Sequence, residues 1–196
     1  MQPKFDIRFE PEAHRYYLEG EPVPSVTQVL APLENLSRID PDILARAADF
    51  GTAVHQVTEL YDNGDLDWAS LDSNLVPYLS GYIRFLSETD AAPLHRELRV
   101  ASKRYRYAGT LDGIYRMKRA HTLIDIKSGA VPRTAGLQTA AYENAALESY
   151  GIKVKKRYCL QLKPDDYRLI PCEGAQDLSI FISALNLRNW ENNHAA

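Results

Sequence analysis

The chain has 196 residues, 45% hydrophobic and 25% charged, with a formal net charge of -3. That size and composition predict one globular domain with a sizeable core, and no apolar run approaches the ~20 residues of a helical membrane span. A general polyanion binder is basic overall, so any contact with nucleic acid must come from a local patch.

In chain order, "FDIRF" and "HRYYL" alternate apolar and polar around the polar "EPEA", which predicts a small hairpin. The charged opening has no apolar h-region, so no signal peptide is expected. "EGEPVP" then breaks the chain. Ser25 predicts an N-cap for a short helix over "SVTQVLAPL". Asp40 followed by Pro41 is a cap residue with proline in the first turn. It predicts a helix through "DILARAADFGTAVHQVTELY" to Asn63-Gly64. Another helix is predicted over "NLVPYLSGYIRFLSE". The period then changes to two: "HRELRV", "YAGTLDGIYRM" and "HTLIDIKSG" read as consecutive strands. "TAGLQTAAYENAALESYG" predicts a helix ended by Gly151. "KKRYCLQL" and "YRLIPC" predict strands around a Pro164-Asp165 turn, and "AQDLSIFISALNLRNWEN" a closing amphipathic helix. Cys159 and Cys172 fall in these last strands. Two cysteines supply neither a four-cysteine zinc site nor an iron–sulfur cluster, and they read as reduced cytoplasmic thiols.

This order predicts an α/β (α+β) fold: a mixed central sheet flanked by helices, after an N-terminal hairpin and helical segment. No repeat or long linker divides it, so a single domain over 1–196 is expected. The hairpin and first helices occupy 1–92, the sheet and its helix 93–172, and the last helix 173–196.

Within the strands, Asp112 and Asp125 are poor strand formers. Asp125 and Lys127 are two apart, so they share a strand face with Leu123 while Ile124 and Ile126 point the other way. A turn around Lys118 to His121 would bring Asp112 near them. Gly109 and Gly113 bracket Asp112 and mark a bulge or a close backbone approach. Two carboxylates and an ammonium suit metal-assisted attack on a phosphodiester. Hard cations take oxygen ligands, and a lysine can position water or stabilise phosphate charge. The competing explanation is a half-buried Asp125–Lys127 salt bridge with Asp112 as a turn residue.

Other candidates flank this group. Glu97, on the preceding strand, can face the same site or solvent. Gln138 and Tyr142 lie four apart on the following helix and share a face that can reach substrate. His55, upstream on a helix, is a metal ligand or a structural partner of Glu59. Basic residues cluster at Lys103, Arg104 and Arg106, at Arg116, Lys118 and Arg119, and at Lys153, Lys155, Lys156 and Arg157. These suit a polyanion whose binding weakens with salt, or else solvated loops.

Taken together, these motifs resemble the PD-(D/E)xK nuclease superfamily, in its RecB-like branch and especially its small phage-type exonucleases. "PSVTQVL" is similar to the N-terminal motif of the phage members, and "FGTAVH" to a glycine–histidine helix motif that would make His55 a ligand. "GTLDGI" assigns Asp112, "DIK" assigns Asp125 and Lys127, and "QTAAY" assigns Gln138 and Tyr142. Glu97 matches the acidic position on the preceding strand. The resemblance implies a restriction-endonuclease-like core and Mg²⁺ or Mn²⁺, one or two ions. His55, Asp112, Asp125 and the Ile126 carbonyl would hold the metal. Lys127 would orient or activate water, Gln138 and Tyr142 would hold substrate, and Arg116, Lys118 and Arg119 would meet the DNA backbone. The implied activity is DNA hydrolysis leaving 5′-phosphates, in recombination, repair or processing. It would take place in the cytoplasm of a bacterial or phage-infected cell, with a single-strand annealing or other recombination protein as partner. Leu111 stands where the superfamily's name has proline, as is usual for this branch. The iron–sulfur cysteines of some members are absent, so no cluster is expected. The alternative is a non-catalytic nucleic-acid-binding module on the same fold.

Overall fold

A computed structural model describes residues 1–34 and 39–194. The chain opens with a three-stranded antiparallel sheet, β1 (Ile7–Glu10), β2 (Arg15–Leu18) and β3 (Glu21–Val23), paired in that order. The first hairpin matches the alternation of its sequence. β3 differs from the expected chain break. Glu19 and Gly20 have φ of 52° and 84°, the two left-handed residues of a type I′ turn, which sends the chain back as a strand. Pro22 is tolerated there because β3 is an edge strand.

Caps in the sequence set the helix starts. Helix α1 (Val26–Leu30) begins with a capping box: Gln28 N–H donates to Ser25 Oγ at 3.1 Å, and Ser25 N–H to Gln28 Oε1 at 3.0 Å. Helix α2 (Pro41–Asn63) is capped by Asp40, whose Oδ1 accepts from Asp42 N–H at 2.8 Å, and it ends at left-handed Gly64. Helix α3 (Val76–Thr89) holds Pro77 in its first turn, where the missing N–H has no helical partner to lose.

The central sheet runs β4 (Ala92–Ser102), β5 (Tyr107–Met117), β6 (Ala120–Lys127), β7 (Lys156–Lys163) and β8 (Asp166–Pro171), in spatial as in chain order. All neighbours are antiparallel except β6 and β7. A parallel pair needs a crossover, and α4 (Ala135–Tyr150) supplies it. Helix α5 (Asp177–His194) closes the chain. The fold is therefore mixed α/β: a five-stranded mixed sheet flanked by helices, with a separate small antiparallel sheet.

Helices cover both sheet faces. On one, Val100, Leu111 and Leu123 pack with Val26, Ala141, Ala145, Phe181 and Leu185 from α1, α4 and α5. On the other, Tyr115, Ile124, Ile126 and Leu160 pack with Val54, Val57, Tyr82 and Phe85 from α2 and α3. Apolar residues on both faces of β6 follow from this double cover. Each fully buried side chain of this kind contributes roughly 1.5–3 kcal/mol, which Asp112 and Asp125 forgo in the middle of the sheet. The small sheet docks Tyr16, Leu18 and Val23 on Ala101 and Ala108, and Tyr16 OH meets Thr110 Oγ1 at 2.9 Å. That seats the hairpin beside the strand that carries Asp112. Among the described residues, no helix is long and apolar enough to cross a membrane.

Candidate metal centre

The β5–β6 ladder starts at a two-residue turn, Lys118 and Arg119 with φ of 46° and 66°, and stops at Gly113–Ile124. Beyond that point a side chain replaces the ladder. Asp112 Oδ2 accepts the Ile126 N–H at 2.6 Å, and the Ile126 carbonyl lies 3.0 Å from His55 Nε2. Both backbone groups of a buried residue are thus satisfied by site side chains, as burial requires. Asp suits this position despite its poor strand propensity, because its short acceptor reaches the backbone.

The other ring nitrogen of His55 faces two acids. Nδ1 is 3.5 Å from Asp112 Oδ1 and 3.7 Å from Glu97 Oε1. His55, Glu97 and Asp112 each offer one ligand atom, all within 4.8 Å of one another. Glu97 reaches this group through unusual backbone geometry: it lies in the interior of β4 with φ of 45°. A left-handed non-glycine residue costs on the order of 1–3 kcal/mol. Its Oε1 is also buried without a hydrogen-bond partner among the described residues. A strained backbone and an orphaned carboxylate oxygen are both costs, and a hard cation bound among these oxygens offsets both. The His55–Glu97–Asp112 group could therefore hold a divalent cation. The contact between His55 Nε2 and the Ile126 carbonyl orients the imidazole toward the two acids.

Asp125 is not a member of the three-residue group. Its Oδ2 pairs with Lys127 Nζ at 2.8 Å and accepts the Cys159 thiol at 3.6 Å, while Oδ1 is buried without a partner among the described residues. Lys127 Nζ also donates to Gln138 Oε1 at 3.3 Å. Tyr142 is buried one turn further along α4, and its ring explains Gly109. A Cβ there would lie 2.7 Å from Tyr142 Cε1. Gly113 likewise leaves room for Tyr115 and Arg96. Both glycines mark close approach rather than a bulge.

Burial and charge set the protonation states. Burial opposes charge on His55, but the Asp112 and Glu97 carboxylates outweigh it and raise its pKa to about 9. A cation at Nδ1 would have to displace a proton. Burial pushes the Asp125 carboxyl up against the opposing pull of Lys127. Burial also opposes charge on Lys127, but Asp125 and Asp112 prevail and hold its ammonium above the ordinary lysine range. Lys127 is thus held as a positive charge beside Asp125. Burial keeps the Tyr142 phenol protonated and able to donate.

No protein-family model and no curated protein matches this chain. A solved structure described as the crystal structure of SSO0001 is similar at 13% identity, over 86% of this chain and 89% of that one, with a TM-score of 0.34. A likeness that remote carries no argument about fold or activity.

The basic residues Arg116, Lys118 and Arg119 are not brought to this group. They sit at the tip of the β5–β6 hairpin, and about 17 Å of strand at ~3.4 Å per residue separates Asp112 from Met117 beside them. Two features escaped the sequence reading. The first is a groove of about 920 Å³ over the site, lined by Lys127, Gln138 and Tyr142, by Gly51, Thr52 and Gln56 of α2, and by His14 and Thr27 from the N-terminal elements. The second is a buried polar network behind it. Arg96 pairs with Asp62 at 3.0 Å and donates to Thr58 Oγ1 at 2.9 Å and Tyr115 OH at 2.5 Å. Tyr82 OH bonds Asp62 at 2.5 Å, and Thr58 Oγ1 donates to the His55 carbonyl at 2.8 Å. Arg96 precedes Glu97, so one network fixes the backbone of both His55 and Glu97. Its only sequence signal is an arginine next to a candidate acid.

Proposed function

We propose that this chain is a divalent-metal-dependent nuclease that hydrolyses DNA phosphodiester bonds, acting as an exonuclease that leaves 5′-phosphates on a restriction-endonuclease-like core. The observation that carries the reading is that the His55–Glu97–Asp112 group and Lys127, paired with buried Asp125 behind it, line one groove. The resemblance of "GTLDGI", "DIK" and "QTAAY" to the PD-(D/E)xK motifs supports it. A non-catalytic DNA-binding module needs no acids clustered beside a polyanion.

His55, Glu97 and Asp112 would hold Mg²⁺ or Mn²⁺, with Asp125 alongside. Such an ion polarises a phosphoryl oxygen and lowers the pKa of bound water. Lys127, held as an ammonium by Asp125 and Gln138, would stabilise charge developing on the phosphate and orient the attacking water. Tyr142 and Gln138 would donate hydrogen bonds to the substrate strand. Arg116, Lys118 and Arg119 would neutralise phosphates further along the duplex, about five nucleotides away at ~3.4 Å per nucleotide. This reading implies the cytoplasm of a bacterial or phage-infected cell, with a recombination protein as partner.

The experiment is degradation of end-labelled linear DNA with Mg²⁺ and with chelator, comparing wild type with Asp125→Ala. Metal-dependent release of labelled nucleotides by wild type alone is expected. Equal activity in both proteins would sink the assignment.

A further inference from the structure

The two cysteines of this chain are neighbours. Cys159 on β7 and Cys172 just beyond β8 are both buried free thiols with their sulfurs 3.7 Å apart. They are placed unequally. Cys159 is fully inaccessible and donates its S–H to Asp125 Oδ2 at 3.6 Å. Cys172 is 8% exposed and lines a cavity of about 330 Å³ with Lys155, Lys156, Arg157, Glu143 and Glu173. One thiol therefore faces a solvent-connected polar cavity, and the other touches a carboxylate beside the candidate centre.

We propose that Cys172 and Cys159 form a redox modification site, in which a peroxide oxidises the pair to a disulfide and removes a hydrogen bond from Asp125. The consequence for activity rests on the nuclease reading, whereas the oxidation itself does not. In the first step the Cys172 sulfur attacks one oxygen of hydrogen peroxide and the O–O bond breaks. The leaving hydroxide takes the thiol proton as water, and Cys172 becomes a sulfenic acid. In the second step the Cys159 sulfur attacks the Cys172 sulfur. The S–O bond breaks, and hydroxide leaves with the Cys159 proton as a second water. Two thiols and one peroxide thus give one disulfide and two waters.

The geometry dictates the roles. Only Cys172 can meet the oxidant, and only Cys159 lies close enough to resolve the sulfenic acid. Closing the gap from 3.7 Å to the disulfide's about 2.05 Å draws the Cys159 sulfur toward Cys172 and deletes its S–H. Among the described residues Asp125 Oδ1 already lacks a partner, so Oδ2 is left with Lys127 alone. Loss of one such hydrogen bond predicts a roughly three- to tenfold fall in Mg²⁺-dependent hydrolysis.

The test exposes the whole folded protein to hydrogen peroxide and follows intact mass and DNA hydrolysis together. Wild type should lose two hydrogens in mass, lose activity as the disulfide forms, and regain both with dithiothreitol. Cys172→Ser, and Cys172→Ala as a second variant, should form no disulfide and keep basal hydrolysis under peroxide. Reduced thiols throughout, or oxidation to sulfinic acid without a disulfide, would overturn the proposal, as would a full disulfide with unchanged hydrolysis. If the reduced protein has no hydrolytic activity at all, the nuclease reading fails and the mass measurement alone decides whether the pair is a redox site.

Discussion

Glu97 offers a test in which backbone and side chain pull apart. Replacing it with Ala or with Gly removes the same carboxylate, so both variants should lose the same contribution to cation binding. They differ in backbone. At φ of 45° an alanine keeps the left-handed strain that glycine releases. That strain amounts to about 1–2 kcal/mol for an L-residue. Glycine returns about 0.5–1 kcal/mol through the larger entropy of its unfolded chain. Glu97→Gly should therefore be more stable than Glu97→Ala by roughly 0.5–1 kcal/mol, or about 1–4 °C in Tm for a chain this long. Urea and thermal unfolding without divalent cation measure the difference, and calorimetric Mn²⁺ titration measures the shared loss of binding. An alanine variant as stable as the glycine variant would refute the idea that Glu97 is held under strain. Undiminished Mn²⁺ binding by both would refute the reason given for that strain.

Three further outcomes follow from the same geometry. Arg96→Met should cost about 3–5 kcal/mol in urea unfolding, because it strands buried Asp62, and adding Asp62→Leu should recover part of it; a cost under about 1 kcal/mol contradicts the network. The His55 pKa is raised from 6.5 to about 9, so its stabilising charge is complete below pH 6.5 and is lost as pH rises through 9. Cation binding competes with that proton, so Mn²⁺ affinity should climb about tenfold per pH unit toward pH 9, and a flat profile by calorimetry counts against His55 as a ligand. Gly109→Ala should push the Tyr142 ring from its seat and cost roughly 1–3 kcal/mol in thermal unfolding, and an unchanged Tm would mean the ring relocates freely.

The helices were legible because their ends carry local chemistry: Ser25 and Asp40 cap backbone N–H groups within the next turn, and Gly64 and Gly151 end the helices in the left-handed region. The β5–β6 hairpin was legible from alternation. β3 was not, because proline in a short run argues against a strand unless its edge position is known. The pairing of Asp125 with Lys127 follows from a two-residue spacing. The splayed ladder that lets Asp112 hold Ile126 depends on where pairing stops, which alternation does not encode. Glu97 illustrates the same limit. Its residue type suggested an acid near the site, but the left-handed backbone that aims it within β4 is a tertiary outcome. The basic tip at Arg116 to Arg119 was adjacent to the acids in sequence but is separated from them by the length of the strand.

The proposed centre holds one hard cation among His55, Glu97 and Asp112. Crystals soaked in Mn²⁺ and measured for anomalous scattering test it most directly. The prediction is a single strong peak in contact with a ring nitrogen of His55 and with oxygens of Glu97 and Asp112, absent from the Asp112→Asn protein. A peak elsewhere, or no peak at Mn²⁺ concentrations that support DNA hydrolysis, would contradict it.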